Sequence, residues 1–266
     1  MTSDTTSLTI GPLRVSIAAP DPAVHAALQS AYRAFAVEDS PAPYSLIAQI
    51  DYTPGPAPAA WPFTFDGGVL RFTAAHYTGS LDLIAQRAHL AVIAPHPFEP
   101  IDYFVRAALA LLAFEAGGLL LHAAGLAWRG NGYAFFGYSG SGKTTVARVS
   151  SDAQVLNDDL VVLLPDASRW NIHATPFSNP TQVTSAGPRF APLAALFRLV
   201  QDRRVFVEPI APAAAMAEVI ACCPVVSADP DRALALLALA EHLVRKVPVQ
   251  RLHFLPDPSF WAIVPP

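Results

Sequence analysis

A glycine-rich segment near the middle of the chain has the composition of a phosphate-binding loop. Every fixed position of the pattern G-x-x-x-x-G-K-[ST] is filled by Gly137-Tyr138-Ser139-Gly140-Ser141-Gly142-Lys143-Thr144. Glycines let the backbone turn sharply and bring its N–H groups close to an anion without a Cβ in the way. The segment therefore predicts a P-loop that binds the phosphates of a nucleoside triphosphate together with Mg²⁺.

The P-loop pattern assigns a role to each polar position. Lys143 is expected to reach the β- and γ-phosphates, and the hydroxyl of Thr144 is expected to ligate Mg²⁺. The other phosphate contacts are predicted for Gly137, Ser139, Gly140, Ser141, Gly142 and Thr145. We expect ATP and Mg²⁺ as the ligands, although the pattern does not distinguish ATP from GTP.

Two adjacent carboxylates, Asp158 and Asp159, follow the loop inside an apolar run at residues 155–163. Burying two acids in a strand is costly unless each has a partner. The arrangement is explained if one acid faces Mg²⁺ and the other accepts a proton from a reacting hydroxyl. The alternative is that residues 157–159 form a surface turn between two short strands.

His122 is the third candidate residue, and it lies in an apolar segment before the loop. Its predicted strand, residues 119–128, pairs with the strand that leads into the P-loop, so we expect His122 near the phosphates. The alternative is a satisfied core histidine. Arg203 and Arg204 lie in a polar break. One of them could bring positive charge to a transferring phosphoryl group, or both could belong to a solvated loop.

The elements around the loop are predicted from their apolar runs and turn signals. A helix over residues 101–116 ends at Gly117-Gly118, and the strand over residues 119–128 follows. The turn at residues 129–132 contains the Asn-Gly signal of a tight hairpin and returns the chain into a strand over residues 133–136. A helix starting at Thr144 would aim its N-terminus at the phosphates.

The first part of the chain alternates short strands with turns and carries no motif that can be tied to chemistry. A helix is predicted over residues 21–35, with Asp21 as its cap and Pro22 at its first position. We expect a small α+β domain at residues 1–100 and a P-loop nucleotide-binding domain at residues 101–266. The predicted fold class is α/β, or α+β over the whole chain.

Composition narrows the functional class. The formal charge is −4, from 17 basic and 21 acidic residues, so no nucleic-acid partner is expected. Hydrophobic residues make up 53% of the chain. The most apolar stretch is nevertheless interrupted by Glu115 and His122, so no membrane span is predicted. The N-terminus lacks the basic start of a secretion signal, and adjacent Cys222 and Cys223 cannot form an ordinary disulfide. A cytoplasmic protein is expected, and a homo-oligomer stays open.

The sequence resembles the HPr serine kinase/phosphorylase family and the wider group of HPr-kinase-related bacterial kinases. The resemblance covers mainly residues 101–177. It rests on Leu121-His122-Ala123-Ala124, Gly132-Tyr133-Ala134-Phe135-Phe136-Gly137, the P-loop, and Leu156-Asn157-Asp158-Asp159. Histidine, P-loop and acid pair in this order are far more specific than a P-loop alone. The resemblance implies a nucleotide fold shared with phosphoenolpyruvate carboxykinases.

The resemblance also implies roles for the site residues. Lys143 and Thr144 would hold the triphosphate and Mg²⁺, and the two acids would share the general-base and metal roles. We assign Asp158 as the base and Asp159 as the residue toward the metal. His122 would lie beside the acid pair and the transferred phosphate.

The expected activity is transfer of the γ-phosphoryl group of ATP to a hydroxyl, most simply a serine, of a peptide or protein. The family's second signature, which is associated with HPr binding and phosphorolysis, is not found, and Thr144-Thr145 replaces the usual serine and acidic residue. The layout is therefore more similar to the related kinases encoded beside peptide-modification genes. Two alternatives stay open: a small-molecule kinase with the same site, and a nucleotide-dependent regulatory binding module.

Overall fold

The computed structural model describes residues 4–36, 42–55, 64–66, 68–74, 77–177, 183, 187 and 189–265. The protein is a mixed α/β chain with two mixed β-sheets and several helices. It divides into two compact units, Met1–Ala116 and Gly117–Pro266. Among the described residues, no helix is both long and apolar enough to cross a bilayer.

The first unit is built on a seven-stranded sheet in the order β1-β2-β3-β7-β6-β5-β4. Its strands are β1 (Thr5–Ile10), β2 (Leu13–Ala18), β3 (Tyr44–Thr53), β4 (Thr64–Asp66), β5 (Val69–Ala74), β6 (Tyr77–Asp82) and β7 (Arg87–Ile93). The β2–β3 and β3–β7 pairs are parallel and the others are antiparallel. In β3 buried and exposed residues alternate, which is the pattern of a sheet with one face in the core.

Two helices cover the buried face of this sheet, α1 (Pro22–Tyr32) and α2 (Phe98–Glu115). The predicted cap of α1 is confirmed, because Asp21 accepts hydrogen bonds from the first-turn amides. The hydroxyl of Tyr32 donates to Asp102 at 2.8 Å and ties α1 to α2. Because α2 packs on β2, β3 and β7, the predicted boundary at residue 100 falls inside this helix and the first unit continues to Ala116.

The second unit has an eight-stranded sheet in the order β10-β8-β11-β12-β13-β15-β14, with β9 paired to β8 and β13. Its strands are β8 (Leu119–Trp128), β9 (Asn131–Phe136), β10 (Gln154–Asn157), β11 (Leu160–Asp166), β12 (Arg169–His173), β13 (Phe190–Gln201), β14 (Phe206–Pro209) and β15 (Val249–Phe254). Its α-helices are α3 (Lys143–Val149), α4 (Pro212–Ile220) and α5 (Ala233–Lys246). Strands β9 and β15 run parallel to β13.

The β8–β9 hairpin is antiparallel, as predicted, but its turn lies earlier than expected. Arg129 and Gly130 both have positive φ values, 51° and 84°. They form the two-residue turn, in which positive φ at both positions matches the twist of the flanking strands. Asn131 is already in β9 and pairs with Trp128. Gly132 is required for another reason, because a Cβ there would collide with Ile172. The Asn-Gly signal therefore predicted the hairpin correctly, but the turn is formed by Arg129 and Gly130 and not by Asn131 and Gly132.

The core beside the P-loop is aromatic. Phe135 of β9 stacks on Phe197 of β13 with ring centroids 5.5 Å apart, and Phe260 packs edge-on against Phe135 at 5.7 Å. All three side chains are fully buried. Burying large aromatic rings at this junction fixes the strand from which the P-loop emerges.

Candidate active site

The P-loop connects the end of β9 to the start of α3, so the predicted order of strand, loop and helix is confirmed. Gly140 and Gly142 have φ values of 78° and 107°. Residues with a Cβ rarely occupy this region. A Cβ on Gly142 would lie 2.5 Å from Cζ of Phe254. The loop at Gly142 therefore needs glycine for two reasons, its backbone conformation and the lack of space.

Lys143 is buried and directed into its own loop. Its Nζ atom donates to the carbonyl oxygens of Gly137 at 3.0 Å and Tyr138 at 3.3 Å. Burial lowers the pKa of this ammonium, whereas the negative charge of Asp159 opposes the shift. The loop is thus folded around the ammonium group of Lys143, which donates hydrogen bonds to two carbonyl groups of the same loop.

The acid pair lies at a buried bend between β10 and β11, which corrects both readings of the sequence. The predicted strand over residues 155–163 is interrupted, and the alternative of a surface turn fails because Asn157 and Asp158 are buried. The side-chain oxygen of Asn157 accepts the amides of Asp159 at 2.8 Å and Leu160 at 2.9 Å. The side chain of Asn157 therefore replaces the ladder bonds that the bend has broken.

Asn157 also anchors the bend to the rest of the unit. Its amide nitrogen donates to the carbonyl oxygens of Phe177 at 2.6 Å and Thr175 at 3.2 Å. The Thr175 hydroxyl donates to the carbonyl of Leu160 at 2.6 Å. These bonds fix the backbone on both sides of the two aspartates.

Asp158 is a buried carboxylate, only 1% exposed, and neither of its oxygens has a hydrogen-bond partner among the described residues. Burial raises its pKa, and the charge of Asp159 adds to the rise. The Val183 amide and the Thr144 hydroxyl lower the pKa, but neither meets the geometry of a hydrogen bond to the carboxylate. Such a group is costly to keep without a ligand.

Asp159 is paired with the predicted histidine. Nε2 of His122 lies 3.0 Å from Oδ1 of Asp159, and the two side chains are 43% and 13% exposed. The backbone N–H of His122 donates to the carbonyl of Cys222 at 2.8 Å, which holds this end of β8 in place. The core alternative for His122 does not fit a side chain that is nearly half exposed beside a carboxylate.

Most of the predicted residues line one cavity of about 390 Å³. The cavity is lined by His122, Ser139, Gly140, Gly142, Lys143, Thr144, Thr145, Asp158, Asp159 and Gln201. Gly137 and Ser141, which were also predicted, are not part of this lining, and the Ser141 hydroxyl oxygen is buried without a partner among the described residues. Arg203 and Arg204 are exposed in the turn after β13 and are not part of the lining.

Two residues at this site were missed by sequence reasoning, Gln201 and Arg198 of β13. The side-chain amide of Gln201 donates to the carbonyl of Gly140 at 2.8 Å, and no sequence signal indicates this contact. Arg198 lies over the ring of Tyr138, with Cζ 4.7 Å from the ring centroid. A signal for Arg198 did exist, because it is the one charged residue of β13, and the residues on either side of it are apolar.

Comparison with known proteins adds no relative: no protein-family model matches the chain, and no curated protein matches it.

Proposed function

We propose that this protein is a P-loop phosphotransferase, and that within this class it is an ATP-dependent kinase similar to HPr kinase. It would transfer the γ-phosphoryl group to a hydroxyl, most simply a serine, of a peptide or protein. The observation that carries the proposal is that one cavity is lined by the P-loop, an unpartnered buried carboxylate and a His–Asp pair. A phosphate cradle alone would suit many NTP-binding proteins, but the added base suits group transfer.

The phosphate half of the proposal rests on Lys143, Thr144 and Asp158. Mg²⁺ is usually held by one or two protein oxygens together with phosphate oxygens and water. The Thr144 hydroxyl and the unpartnered Asp158 carboxylate fit that requirement, and the described residues contain no cluster of three acidic, histidine or cysteine side chains for a metal. When bound, Mg²⁺ would neutralise charge on the phosphates. Lys143 would exchange its loop carbonyls for phosphate oxygens.

The acceptor half rests on Asp159 and His122. We propose that Asp159 accepts the proton of the acceptor hydroxyl while the hydroxyl oxygen bonds to the γ-phosphorus and the bond to the β,γ-bridging oxygen breaks. His122 would hold the carboxylate in position through the 3.0 Å contact. This assignment reverses the expected roles of the two acids, because Asp158 neighbours the Thr144 hydroxyl whereas Asp159 faces His122.

The exposure of His122, the partner of the proposed base Asp159, supports a peptide or protein acceptor. The His122 side chain is 43% exposed, so the pair can be reached from solvent. A metabolite kinase would be expected to surround its acceptor and exclude water from the base. We also propose a cytoplasmic location, which is supported by the free thiols of Cys222 and Cys223.

The proposal is tested with two lysine variants. Lys143→Ala should weaken binding of Mg·ATP in a calorimetric titration and abolish transfer of radiolabelled γ-phosphate to serine-containing peptides. Lys246→Ala, which changes the other lysine of the chain, is the matched control and should leave both unchanged. Unchanged Mg·ATP affinity in folded Lys143→Ala would overturn the phosphate site. Labelling of small hydroxyl compounds but not peptides would point to a metabolite kinase, and tight binding without any transfer would point to a regulatory module.

A further inference from the structure

Arg198 lies directly behind the start of the P-loop. In the parallel pairing of β13 with β9 it is opposite Phe136, the last residue before the loop. Its Nε atom contacts Oε2 of Glu218 at 2.9 Å, and its Nη1 atom donates to the carbonyl of Leu199 at 2.7 Å. These two contacts fix the orientation of the guanidinium group relative to the loop.

The loop residues that Arg198 contacts are the two that hold Lys143. Its guanidinium lies over the Tyr138 ring, with Cζ 4.7 Å from the centroid. A Cβ built on Gly137 would lie 2.6 Å from Nη1 of Arg198, so the guanidinium also borders the first residue of the loop. The carbonyl oxygens of Gly137 and Tyr138 are the acceptors of Lys143 Nζ.

The Tyr138 ring has little other reason to be ordered. Its side chain is 64% exposed. An exposed aromatic residue in a glycine-rich loop gains little from burial. A cation over an aromatic ring at an exposed site contributes a modest attraction, which can still select one orientation of a flexible loop. The guanidinium over the ring therefore supplies the contact that holds Tyr138.

We infer that Arg198 is a positioning residue for phosphate binding, which acts through Tyr138 to fix the first turn of the P-loop and the starting position of Lys143. The inference rests on the proposed function. Glu218 orients the guanidinium and links it to α4, so the loop and this helix are coupled through one ion pair. Arg198 also adds positive potential near the phosphates, and its charge contributes to the lowered pKa of Lys143.

A purely structural role for the Arg198–Glu218 ion pair predicts a different result. If the Arg198–Glu218 contact served only folding, the exposed ring of Tyr138 would be irrelevant to nucleotide affinity. If Arg198 positions the loop, the aromatic face of Tyr138 matters and its hydroxyl does not. Variants of Tyr138 separate these cases without risk to the fold, because its side chain is exposed.

The experiment measures the dissociation constant of Mg·ATP in full-length variants. Tyr138→Phe should bind within about twofold of wild type, because the ring remains, whereas Tyr138→Leu should bind about two- to fivefold more weakly, as expected from loss of an exposed cation–π contact. Arg198→Lys keeps the charge but loses the planar group, so it should also bind more weakly. Adding Tyr138→Leu to Arg198→Lys should cause little further loss, because the two share one interaction.

Glu218→Gln tests the link to α4 and should weaken Mg·ATP binding in the same direction. The matched control is Glu241→Gln, which breaks the exposed Glu241–Arg245 pair of α5 and should leave affinity unchanged. Equal affinity of Tyr138→Leu and wild type would overturn the inference while leaving the proposed function intact. Failure of the wild-type protein to bind Mg·ATP would overturn the proposed function, and with it the inference.

Discussion

Nε2 of His122 in β8 lies 3.0 Å from Oδ1 of Asp159, which immediately precedes Leu160, the residue of β11 that pairs with His122. If this pair accepts the proton of the acceptor hydroxyl, His122→Ala should lower phosphoryl transfer by roughly 10²–10⁴-fold. Mg·ATP affinity should change little, because His122 is assigned to the acceptor side. The rate of γ-phosphate transfer and the dissociation constant of Mg·ATP, measured on the same preparation, check both parts.

The chain offers a matched control for this variant. His89 of β7 is also paired with an aspartate, with Nε2 2.6 Å from Oδ2 of Asp51, but it lies in the first unit and outside the cavity. His89→Ala should leave transfer unchanged. A His122→Ala protein that melts much earlier yet transfers phosphate at the wild-type rate would return His122 to a structural role.

The Asp158 carboxylate should lower the free energy of unfolding in the absence of ligand, because it is buried and has no hydrogen-bond partner among the described residues. Its pKa is raised, so the folded protein holds this proton more tightly than the unfolded chain does. Wild-type stability is therefore reduced at a pH above the raised pKa, and Asp158→Asn should relieve that cost. The melting temperature of the variant should exceed that of wild type by about 2–4 °C per kcal/mol recovered, with a larger difference at pH 8 than at pH 5.

The same variant should bind Mg·ATP more weakly or require more Mg²⁺, since it removes the carboxylate that we propose as a ligand of the cation. Asp159→Asn should bind Mg·ATP but fail in transfer. The opposite distribution of these two defects would restore Asp158 as the base and Asp159 as the metal ligand. Wild-type transfer by both variants would remove the acid pair from the mechanism altogether.

Gly142→Ala should abolish high-affinity nucleotide binding and lower stability. A left-handed conformation costs a non-glycine residue about 1–2 kcal/mol. The added methyl group would also press on Phe254. Gly130→Ala is the control, because Gly130 has φ 84° but open space within 4 Å, and it lies in the hairpin turn. Chemical denaturation should show a larger loss of stability for Gly142→Ala than for Gly130→Ala. Titration with Mg·ATP should show a loss of affinity for Gly142→Ala only. Equal losses would mean that contact with Phe254 is unimportant.

His173 should make the protein sensitive to acid. Burial lowers its pKa from 6.5 to about 4, and its ring stacks on Phe190 with centroids 5.3 Å apart. Because the folded pKa is below the unfolded one, the stability it contributes is complete above pH 6.5 and is lost as the pH falls toward 4. At roughly 1.4 kcal/mol per pKa unit the loss approaches about 3 kcal/mol. His173→Phe should flatten this part of the stability profile, measured by denaturant titration between pH 7 and 4.

The parts of the site that were predictable from sequence are those with local causes. The P-loop pattern, the apolar strand before it and the helix after it each depend on neighbouring residues, and the structure has all three in order. The pairing of β8 with β9 was also predictable, since two apolar strands that are joined by a short turn usually pair with each other. The exact turn was not, because both Asn131-Gly132 and Arg129-Gly130 offered a glycine.

The parts that escaped prediction depend on contacts between distant segments. The bend that separates Asp158 from Asp159 is held by Asn157 through the carbonyls of Thr175 and Phe177, which no local pattern indicates. The different surroundings of the two acids follow from this bend, so sequence alone could not assign their roles. Likewise Arg198 is the one charged residue of β13, but its position against Tyr138 follows only from the parallel pairing of β13 with β9.

The bonds from Lys143 to the carbonyls of Gly137 and Tyr138 have a consequence for the energetics of recognition. If Lys143 binds the phosphates, as we propose, a nucleotide must displace the two carbonyl partners of the ammonium group, so the lysine exchanges one set of oxygen acceptors for another and the number of its hydrogen bonds changes little. The net gain from this residue must then come from meeting negative phosphate charge instead of neutral carbonyls. The protein should accordingly discriminate between nucleotides by the charge of the phosphate chain, and this discrimination should fade as ionic strength rises.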